Sequence, residues 1–400
     1  MLTGKKIVLG ISGGIAAYKC ADVASRLAKL NADCHVVMTE HAKKIITPEP
    51  FRVLTKNQVY TDVFDDFGEE GMEVPHISLG TSADVILIAP ATANVIGKLA
   101  HGIADDMLTT MVLPARCPIL LAPAMNVYMY ENPVVQENLE ILKKRGYTVI
   151  EPVEGHLACG YDGKGKLPAP EDLVEAVLFA CEKEKDLVGK KFVVSAGPTR
   201  EALDPVRYIT NHSSGKMGFS LARMAARRGA SVTLVAGPVS LKTPMGVNRI
   251  DITSAADMAE AVLREAQSAD CVIMAAAVAD YTPMNTADQK IKKKDGDLAV
   301  PLKRTTDILA SLGANKKEGQ VICGFSMETE NLINNSRAKL DKKNADLICA
   351  NSLRTEGAGY QVDTNIVTIL TREETIELPL LSKDDTADRI LDVIRERFLR

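Results

Sequence analysis

Short apolar runs alternate with longer amphipathic segments along the first half of the chain. The apolar, β-branched runs, which predict strands, lie at 7–11, 35–39, 85–89 and 119–122. Segments whose apolar residues recur three and four positions apart, which predict helices, lie at 16–30, 134–145 and 171–184. Strands that alternate with helices are typical of a parallel sheet with crossover helices.

The second half repeats this pattern. Its predicted strands lie at 192–196, 232–236, 271–275, 321–325, 347–350 and 366–370. Its predicted helices lie at 217–228, 256–267 and 386–398. The fold class is therefore α/β in both halves.

Both halves open in the same way. Gly4-Lys-Lys-Ile-Val-Leu-Gly-Ile-Ser12 and Gly189-Lys-Lys-Phe-Val-Val-Ser-Ala-Gly197 each place a short strand before a glycine-containing turn. The charged stretch Glu182-Lys-Glu-Lys-Asp186 precedes the second opening. We predict two doubly wound, Rossmann-like domains, residues 1–188 and 189–400. A strand that leads through such a turn into a helix presents free backbone N–H groups to an anion, so each domain is expected to bind a phosphorylated ligand.

Composition narrows the classes of protein. Of the 400 residues, 46% are apolar and 25% are charged, and no apolar stretch approaches the length of a membrane span. The formal charge of −4 divides into −7 for residues 1–188 and +3 for residues 189–400, which favours the second half for a highly charged anion. Eight scattered cysteines without a C-x-x-C pair indicate a reducing cytoplasm rather than disulfides or a zinc site.

The first turn, Gly10-Ile-Ser12-Gly13-Gly14, lacks the G-x-G-x-x-G spacing of dinucleotide sites. Ser12 and the amides of Gly13 and Gly14 could hold a single phosphate, which favours a mononucleotide such as FMN. A tight turn that needs small residues for packing remains the alternative.

Polar residues follow two later strands of the first half, where open α/β sheets bind ligands. They lie in Ala89-Pro-Ala91-Thr92-Ala-Asn94 and in Pro123-Ala-Met-Asn126. His76 is isolated in the sequence, and an isolated histidine is more often structural. Cys159 lies in a segment with four glycines between residues 155 and 165, where a thiol has little packing to do.

In this order, these motifs together with Ala158-Cys159-Gly160 resemble the flavin-dependent cysteine decarboxylases, and more closely the decarboxylase half of the bifunctional phosphopantothenoylcysteine decarboxylase/phosphopantothenate–cysteine ligase family of coenzyme A biosynthesis. The resemblance implies a flavodoxin-like flavoprotein domain. It also implies His76 as the active-site histidine, Asn126 as the group that holds the substrate carboxylate and Cys159 as the proton donor. FMN is expected at Ser12, Gly13, Gly14, Thr39, Ala91 and Thr92.

A flavin suits a decarboxylation without net redox change. Loss of CO2 from a cysteine amide leaves a carbanion with no electron sink. Oxidation of the thiol to a thioaldehyde supplies the sink, and the product is afterwards protonated and reduced again.

The second half contains Thr210-Asn211-His-Ser-Ser-Gly215-Lys-Met-Gly218 before a predicted helix. The segment fails the P-loop pattern but keeps hydroxyl and backbone donors at a helix start. Asp280 follows a predicted buried strand, and the run Lys290-Ile-Lys-Lys-Lys294 comes soon after it. A carboxylate near lysines fits Mg²⁺ with a triphosphate, whereas 4% aromatic residues and no tryptophan argue against a nucleic-acid surface.

These segments, with Asp346-Leu-Ile-Cys-Ala-Asn351, resemble the ligase half of the same family, so that the two halves cover nearly the whole chain. The resemblance implies CTP and Mg²⁺, with Asp280 for the metal–nucleotide and Lys290 for the phosphates. The residues expected around CTP are Met274, Ala275, Ala276, Asp280, Lys290, Thr306, Asp307, Ile308, Leu309, Phe325, Lys339 and Lys343. Asn211 is expected to polarise the acyl carbonyl. Thr306 stands where the family pattern has proline, a difference that leaves Asp307 in place.

The leading hypothesis is a cytoplasmic two-step enzyme whose substrates are 4′-phosphopantothenate, L-cysteine and CTP. The resemblance also implies a homo-oligomer, built from trimers of the decarboxylase half into a dodecamer. The rival interpretations are a flavin or NAD oxidoreductase with a regulatory nucleotide domain, which would show net redox change, and a basic nucleic-acid binder, which would release its ligand above modest salt.

Overall fold

The computed structural model describes residues 2–64, 74–156, 160–182, 185–292, 298–328, 331–352 and 362–399. The chain divides into two compact units, Met1–Lys183 and Glu184–Arg400. No helix in the described ranges is both long enough and apolar enough to span a bilayer.

The first unit alternates strands and helices, as its apolar pattern predicts. Its strands are β1 Lys6–Ile11, β2 Asp33–Met38, β3 Val59–Tyr60, β4 Val85–Ala91, β5 Ile119–Pro123, β6 Thr148–Val149, β7 Val153–His156 and β8 Asp162–Lys166. Its α-helices are α1 Cys20–Lys29, α2 Glu40–Lys43, α3 Glu49–Thr55, α4 Pro75–Ser82, α5 Ala93–His101, α6 Met107–Val112, α7 Val127–Tyr130, α8 Pro133–Lys144 and α9 Pro170–Cys181. A 3₁₀ turn over Ile15–Lys19 precedes α1.

The main sheet of this unit is parallel and has the order β3-β2-β1-β4-β5-β6. Without the two-residue edge strand β3 this is the flavodoxin-like order, and with it the order is that of a doubly wound Rossmann sheet. β4 is buried along its whole length, which agrees with its continuous apolar run. The chain order reverses next to β1, so the carboxyl ends of β1 and β4 flank the crevice where such sheets bind ligands.

The second unit repeats this architecture with an antiparallel extension. Its strands are β9 Lys191–Ala196, β10 Arg200–Ala202, β11 Tyr208–Thr210, β12 Ser231–Ala236, β13 Val247–Asp251, β14 Cys271–Met274, β15 Tyr281–Pro283, β16 Leu302–Arg304, β17 Val321–Glu328, β18 Leu347–Ser352, β19 Thr364–Asn365, β20 Val367–Thr371, β21 Thr375–Glu377 and β22 Leu381–Ser382. Its helices are α10 Lys216–Arg227, α11 Ala255–Ala266, α12 Ile308–Ala314, α13 Leu332–Lys342 and α14 Lys383–Phe398.

The main sheet of the second unit has the order β13-β12-β9-β14-β17-β18-β20-β21. The strands from β13 to β18 are parallel, and β20 and β21 continue the sheet in antiparallel pairing. The opening strands β1 and β9 therefore have the same central place in their sheets. The prediction of two doubly wound α/β domains is confirmed.

Candidate active sites

A first cavity of 590 Å³ lies at the carboxyl ends of β1, β4 and β5. Of the residues predicted for the flavin half, it is lined by Gly13, Gly14, Thr92 and Asn126. Thr92 accepts a hydrogen bond from the backbone amide of Val95 and so caps α5. Asn126 caps α7 by accepting one from the amide of Tyr128 at 2.9 Å. Helix starts that follow parallel strands thus place these polar groups at one edge of the sheet.

Ser12 does not line the cavity but forms hydrogen bonds with the segment that does. Its side chain is buried and bonds to the backbone oxygen of Pro90 and to the backbone amide of Thr92. Gly13 allows a close approach between the first turn and α2, because a Cβ at this position would lie 2.3 Å from Cβ of His41. Close packing therefore accounts for Gly10 and Gly13, although Gly13 also lines the cavity, while Gly14 lines the cavity without such crowding.

Several residues of the first cavity were not predicted. The cations Lys19 and Lys166 line it, as do the apolar side chains of Met125, Met129 and Leu167. Lys19 and Lys166 lie just after the glycine-containing segments 10–14 and 155–165, and nothing in the sequence pattern marks them as facing a ligand. An apolar wall with a few cations and amides suits a flat ring that bears a phosphate.

The remaining predictions for this half lie elsewhere or outside the described residues. Thr39 follows β2 and caps α2, Ala91 is the last residue of β4, and neither lines the first cavity. His76 lies in the first turn of α4, also away from the cavity lining. Nδ1 of His76 is buried and has no hydrogen-bond partner among the described residues. Cys159 lies outside the described residues.

A second cavity, of 530 Å³, lies at the carboxyl ends of β14 and β17 in the other unit. It brings together four separate segments of the chain. The residues predicted around CTP that line it are Met274, Ala276, Asp280, Thr306, Asp307, Ile308, Leu309, Phe325, Lys339 and Lys343. Tyr281, Arg304 and Thr305 line it as well and were not predicted. Since Tyr281 and Arg304 pair across the short ribbon β15–β16, sequence periodicity gives no signal for them.

Two hydroxyl side chains at the end of β9 and just after it hold one wall of this cavity. The Ser195 hydroxyl accepts a hydrogen bond of 3.2 Å from the amide of Ala276, and the Thr199 hydroxyl accepts one of 3.0 Å from the amide of Ala279. Both side chains are fully buried. The second opening thus positions the loop before Asp280 rather than forming a phosphate cradle itself.

Charged groups converge on the opposite wall. Lys343 forms an ion pair with Asp307, which also accepts a hydrogen bond of 2.9 Å from the amide of Ala310 and so caps α12. Burial alone would raise the pKa of Asp307, but Lys343 and the Ala310 amide outweigh it and hold this pKa below its ordinary value. The Lys339 ammonium donates a hydrogen bond of 2.8 Å to the backbone oxygen of Phe325.

An adjoining cavity of 160 Å³ shares Ala276 and Phe325 with the second cavity. It is lined by the residues 213–218 that lead into α10, by Ala275 and by Asn351. The Asn351 side chain donates to Oδ1 of Asn365, and its own Oδ1 is buried without a hydrogen-bond partner within the described ranges. Two predicted elements, the donor-rich start of α10 and the strand end at Asn351, thus meet beside the second cavity.

Asn211 and Lys290 do not line either cavity of the second unit. Asn211 follows β11, and its Nδ2 donates to the backbone oxygen of Val278 at 3.1 Å, so that it abuts the loop before Asp280. Lys290 is exposed. The described residues hold no group of three or more His, Cys, Asp or Glu side chains placed to bind a metal ion. Lys293 and Lys294 of the lysine run lie outside the described residues.

Two family models match the chain. The model described as "Flavoprotein" matches residues 1–181, and the model of the "DNA/pantothenate metabolism flavoprotein C-terminal domain" matches residues 187–398.

Two known proteins that are similar over nearly the full length of the chain have the same name. The chain is 50% identical over 398 residues to "Coenzyme A biosynthesis bifunctional protein CoaBC" of Bacillus subtilis, which covers 98% of this chain and 97% of the relative. It is 47% identical over 401 residues to the protein of that name from Vibrio cholerae, covering 99% of each. A solved structure of the C-terminal domain of a CoaBC protein is 43% identical, with a TM-score of 0.46, and covers 53% of this chain and 97% of that one.

Proposed function

The chain belongs to the family of bifunctional coenzyme A biosynthesis proteins, and from this premise we propose that it carries out two consecutive reactions. The domain predicted at residues 189–400 joins cysteine to 4′-phosphopantothenate at the expense of CTP. The domain predicted at residues 1–188 then decarboxylates 4′-phosphopantothenoylcysteine to 4′-phosphopantetheine with FMN.

The observation that carries this proposal is the composition of the second cavity. Backbone from two strand ends, the N-terminus of α12 and two lysines from α13 and its C-terminal end face one space of 530 Å³. Such a volume is within the range of small-molecule sites. Cations on one wall and the Asp280 carboxylate on another suit a triphosphate and its divalent ion.

We infer that the ligase reaction proceeds through an acyl cytidylate. The substrate carboxylate attacks the α-phosphate of CTP, forms an acyl–phosphate bond and expels pyrophosphate. The amine of cysteine then attacks the acyl carbon, loses a proton and displaces CMP. Cytosine is proposed to lie near Phe325, Lys339 and Lys343. Because the described residues bring no metal-binding cluster together, Mg²⁺ is proposed to bind mainly through the phosphates, with Asp280 contributing.

Asn211 is proposed to act in the second half of this reaction. Its amide nitrogen carries two hydrogens: the contact of 3.1 Å with the Val278 oxygen uses one of them, and only a long contact of 3.5 Å with the Ala277 oxygen is available to the other. The other is proposed to polarise the acyl carbonyl. Lys290 is proposed to reach the phosphates from outside the cavity lining.

The first cavity fits FMN. Its volume of 590 Å³ suits a mononucleotide, its methionines and Leu167 suit the ring, and Lys19 and Lys166 suit the phosphate. The residues proposed to hold FMN are Ser12, Gly13, Gly14, Thr39, Ala91 and Thr92. Bound FMN supplies reversible oxidation of the substrate thiol. Asn126 would bind the substrate carboxylate, Cys159 would deliver a proton to the decarboxylated product, and His76 would complete the site.

Assembly and location follow as further proposals. Ile15 and Tyr18 line the first cavity although 62% and 57% of their surfaces are exposed, so this cavity is open on an apolar side. We propose that a second copy of the chain covers this side, within a trimer of the first unit and a dodecamer of the whole protein. The described cysteines form no disulfide, which supports a cytoplasmic enzyme.

One assay tests the function. Purified protein is incubated with 4′-phosphopantothenate, cysteine, Mg²⁺ and CTP, with ATP in a parallel arm, and the release of pyrophosphate and of CO2 is followed. We expect both products with CTP, and CO2 to depend on cysteine. Absence of both products, or a purified protein without flavin absorbance, would defeat the proposal. Consumption of an external electron donor would favour an oxidoreductase instead.

A further inference from the structure

The segment that carries Lys290 is tied to a neighbouring hairpin. The amide of Ala287 donates a hydrogen bond of 3.0 Å to the oxygen of Leu203, and the Thr286 hydroxyl donates one of 3.2 Å to the oxygen of Ala202. On the other side of Lys290, the amide of Ile291 donates to Oδ2 of Asp204 at 3.0 Å. The backbone is therefore held both before and after Lys290.

Asp204 is the centre of this attachment. Its side chain is fully buried, and Oδ1 accepts hydrogen bonds of 2.9 Å from the amides of Val206 and Arg207. Oδ2 accepts from Nε of Arg207 at 3.0 Å and from Nη2 at 2.5 Å, in addition to the Ile291 amide. These donors offset the free-energy cost of burying the carboxylate, whereas loss of its charge would leave some of the donors without an acceptor.

Arg207 closes the arrangement. Its Nη2 also donates to the backbone oxygen of Ile291 at 2.7 Å, so the N–H and the C=O of one residue are both bound by the same ion pair. The Arg207 guanidinium holds the pKa of Asp204 well below its ordinary range, which keeps the carboxylate charged at any pH at which the protein works.

The same hairpin leads to Asn211. Strands β10 and β11 flank the turn that contains Asp204 and Arg207, and Asn211 follows β11 directly. Asn211 in turn bonds to the loop before Asp280. One small hairpin thus connects the backbone around Lys290 with Asp280, which is proposed to act on the metal–nucleotide, and with Asn211, which is proposed to act on the acyl group.

We propose that Asp204 is a positioning residue for the ligase reaction, which fixes the backbone that carries Lys290 against the hairpin that carries Asn211. The inference rests on the proposed function of Lys290 and Asn211. Asp204 itself touches no substrate. Its contribution is to reduce the conformational freedom that Lys290 would lose when the nucleotide binds.

The test combines kinetics with hydrogen exchange on the full-length protein. Asp204→Asn keeps the size of the side chain but turns an N–H₂ group toward N–H donors. We expect kcat/KM for CTP to fall roughly 10–100-fold, because small displacements of catalytic groups have effects of this size. The amide of Ile291 should exchange faster, and decarboxylation of added 4′-phosphopantothenoylcysteine by the other unit should be unchanged. Asp288→Asn, which removes the same charge from an exposed residue of the same segment, is the matched control and should change none of these.

A double-mutant cycle separates positioning from general stability. In a Lys290→Ala background, Asp204→Asn should cost little more than Lys290→Ala alone. Equal losses in both backgrounds, or no loss at all, would overturn the proposal. If Asp204→Asn does not fold, Thr286→Val is used instead, because it removes only the hydrogen bond from Thr286 to the Ala202 oxygen. A several-fold fall in kcat/KM for CTP then supports the proposal, and an unchanged value contradicts it.

The proposed function is tested separately. If the unmodified protein releases no pyrophosphate from CTP, the proposed function fails, while hydrogen exchange at the Ile291 amide still reports whether Asp204 holds the segment.

Discussion

The hydroxyl of Ser12 donates a hydrogen bond of 2.6 Å to the backbone oxygen of Pro90. Ser12 follows β1 directly and Pro90 is the next-to-last residue of β4, so one side chain joins the carboxyl ends of two neighbouring strands. The same oxygen of Ser12 accepts a hydrogen bond of 3.1 Å from the amide of Thr92. The cavity wall therefore depends on a buried residue that does not line it.

Replacement of Ser12 should weaken flavin binding without removing a direct contact. Ser12→Ala leaves the Pro90 oxygen and the Thr92 amide without their partner, so the turn at Thr92 becomes less fixed. Loss of about 1–1.5 kcal/mol corresponds to a roughly 5–10-fold higher Kd for FMN. Titration of the flavin-free protein with FMN, followed by flavin fluorescence, measures the change.

The control for Ser12→Ala is Ser82→Ala, which removes an exposed hydroxyl that donates to Ser78 within α4 and accepts from the ammonium of Lys6. It should leave the Kd for FMN unchanged. Equal affinity in the Ser12→Ala variant and the unmodified protein would show that this bond does not support the flavin site.

The ion pair between Asp307 and Lys343 should influence nucleotide binding separately from helix capping. Asparagine caps helices about as well as aspartate, so Asp307→Asn should keep α12 intact while releasing the ammonium of Lys343. Ordering a released side chain on binding costs about 0.5–1.5 kcal/mol, so KM for CTP should rise roughly 2–10-fold. Steady-state release of pyrophosphate measures it.

Two further variants separate the causes. Asp307→Ala should raise KM similarly and, through loss of the cap, also lower the free energy of unfolding by about 1 kcal/mol. Asp251→Asn removes a carboxylate that pairs with Arg249 and is 70% exposed, and should change neither quantity. An Asp307→Asn enzyme with unaltered KM would mean that the pair does not prepare Lys343 for the nucleotide.

The fold was largely predictable because buried parallel strands are continuous apolar runs. The runs at 85–89 and 119–122 became β4 and β5, both buried throughout. The two-residue strands β3 and β6 were not predicted, since a pair of residues has no periodicity. The hairpin β10–β11 was missed for a related reason: its strands are three residues long, and the turn between them contains an ion pair between the buried carboxylate of Asp204 and the partly exposed guanidinium of Arg207.

From the residue pattern alone, site residues were predictable only where a polar side chain follows a predicted strand. Asp280 and Asn126 were identified in this way, and each lines a cavity. Thr306–Leu309, Lys339 and Lys343 were identified by family resemblance, because a lysine on a helix looks the same whether it faces a ligand or water. Arg304 was missed altogether, and the roles of all these residues stay predictions.

Asn211→Asp should separate the two halves of the ligase reaction. A carboxylate at this position would face the Val278 oxygen, which Nδ2 of Asn211 now contacts at 3.1 Å, and it has no hydrogen to offer the acyl carbonyl. Formation of the acyl cytidylate does not need that donor, so pyrophosphate should still appear in a first turnover. Transfer to cysteine should slow by roughly 10²–10³-fold, as for the loss of one donor to a developing oxyanion.

Rapid quench with radiolabelled CTP measures this separation. The acyl cytidylate should accumulate in the variant, and release of CMP should lag behind release of pyrophosphate. Parallel loss of both products would contradict the assignment of Asn211 to the second half of the reaction.

The stability of the first unit should depend on pH through Asp106. This carboxylate caps α6 by accepting from the amide of Thr109 at 2.8 Å, and it also binds the ammonium of Lys98 at 2.9 Å. Burial alone would raise the pKa of Asp106, but these donors outweigh it and lower this pKa below its ordinary value. A lowered carboxyl pKa in the folded state adds stability above the unfolded pKa of about 4, and that stability is lost as the pH falls through the folded value.

Asp106→Asn keeps a capping side chain and removes the charge, so it isolates this effect. At pH 7 the variant should lose about 1 kcal/mol of unfolding free energy, and the difference from the unmodified protein should shrink below pH 4. Denaturant unfolding at pH 7 and pH 3, followed by far-UV circular dichroism, which reports the backbone rather than the flavin, measures both values. Asp105→Asn is the matched control: Asp105 also binds Lys98 but is 58% exposed, so its loss should cost less than about 0.5 kcal/mol. Equal losses for the two variants, or a difference that persists at pH 3, would show that the buried carboxylate of Asp106 is not the source of the pH dependence.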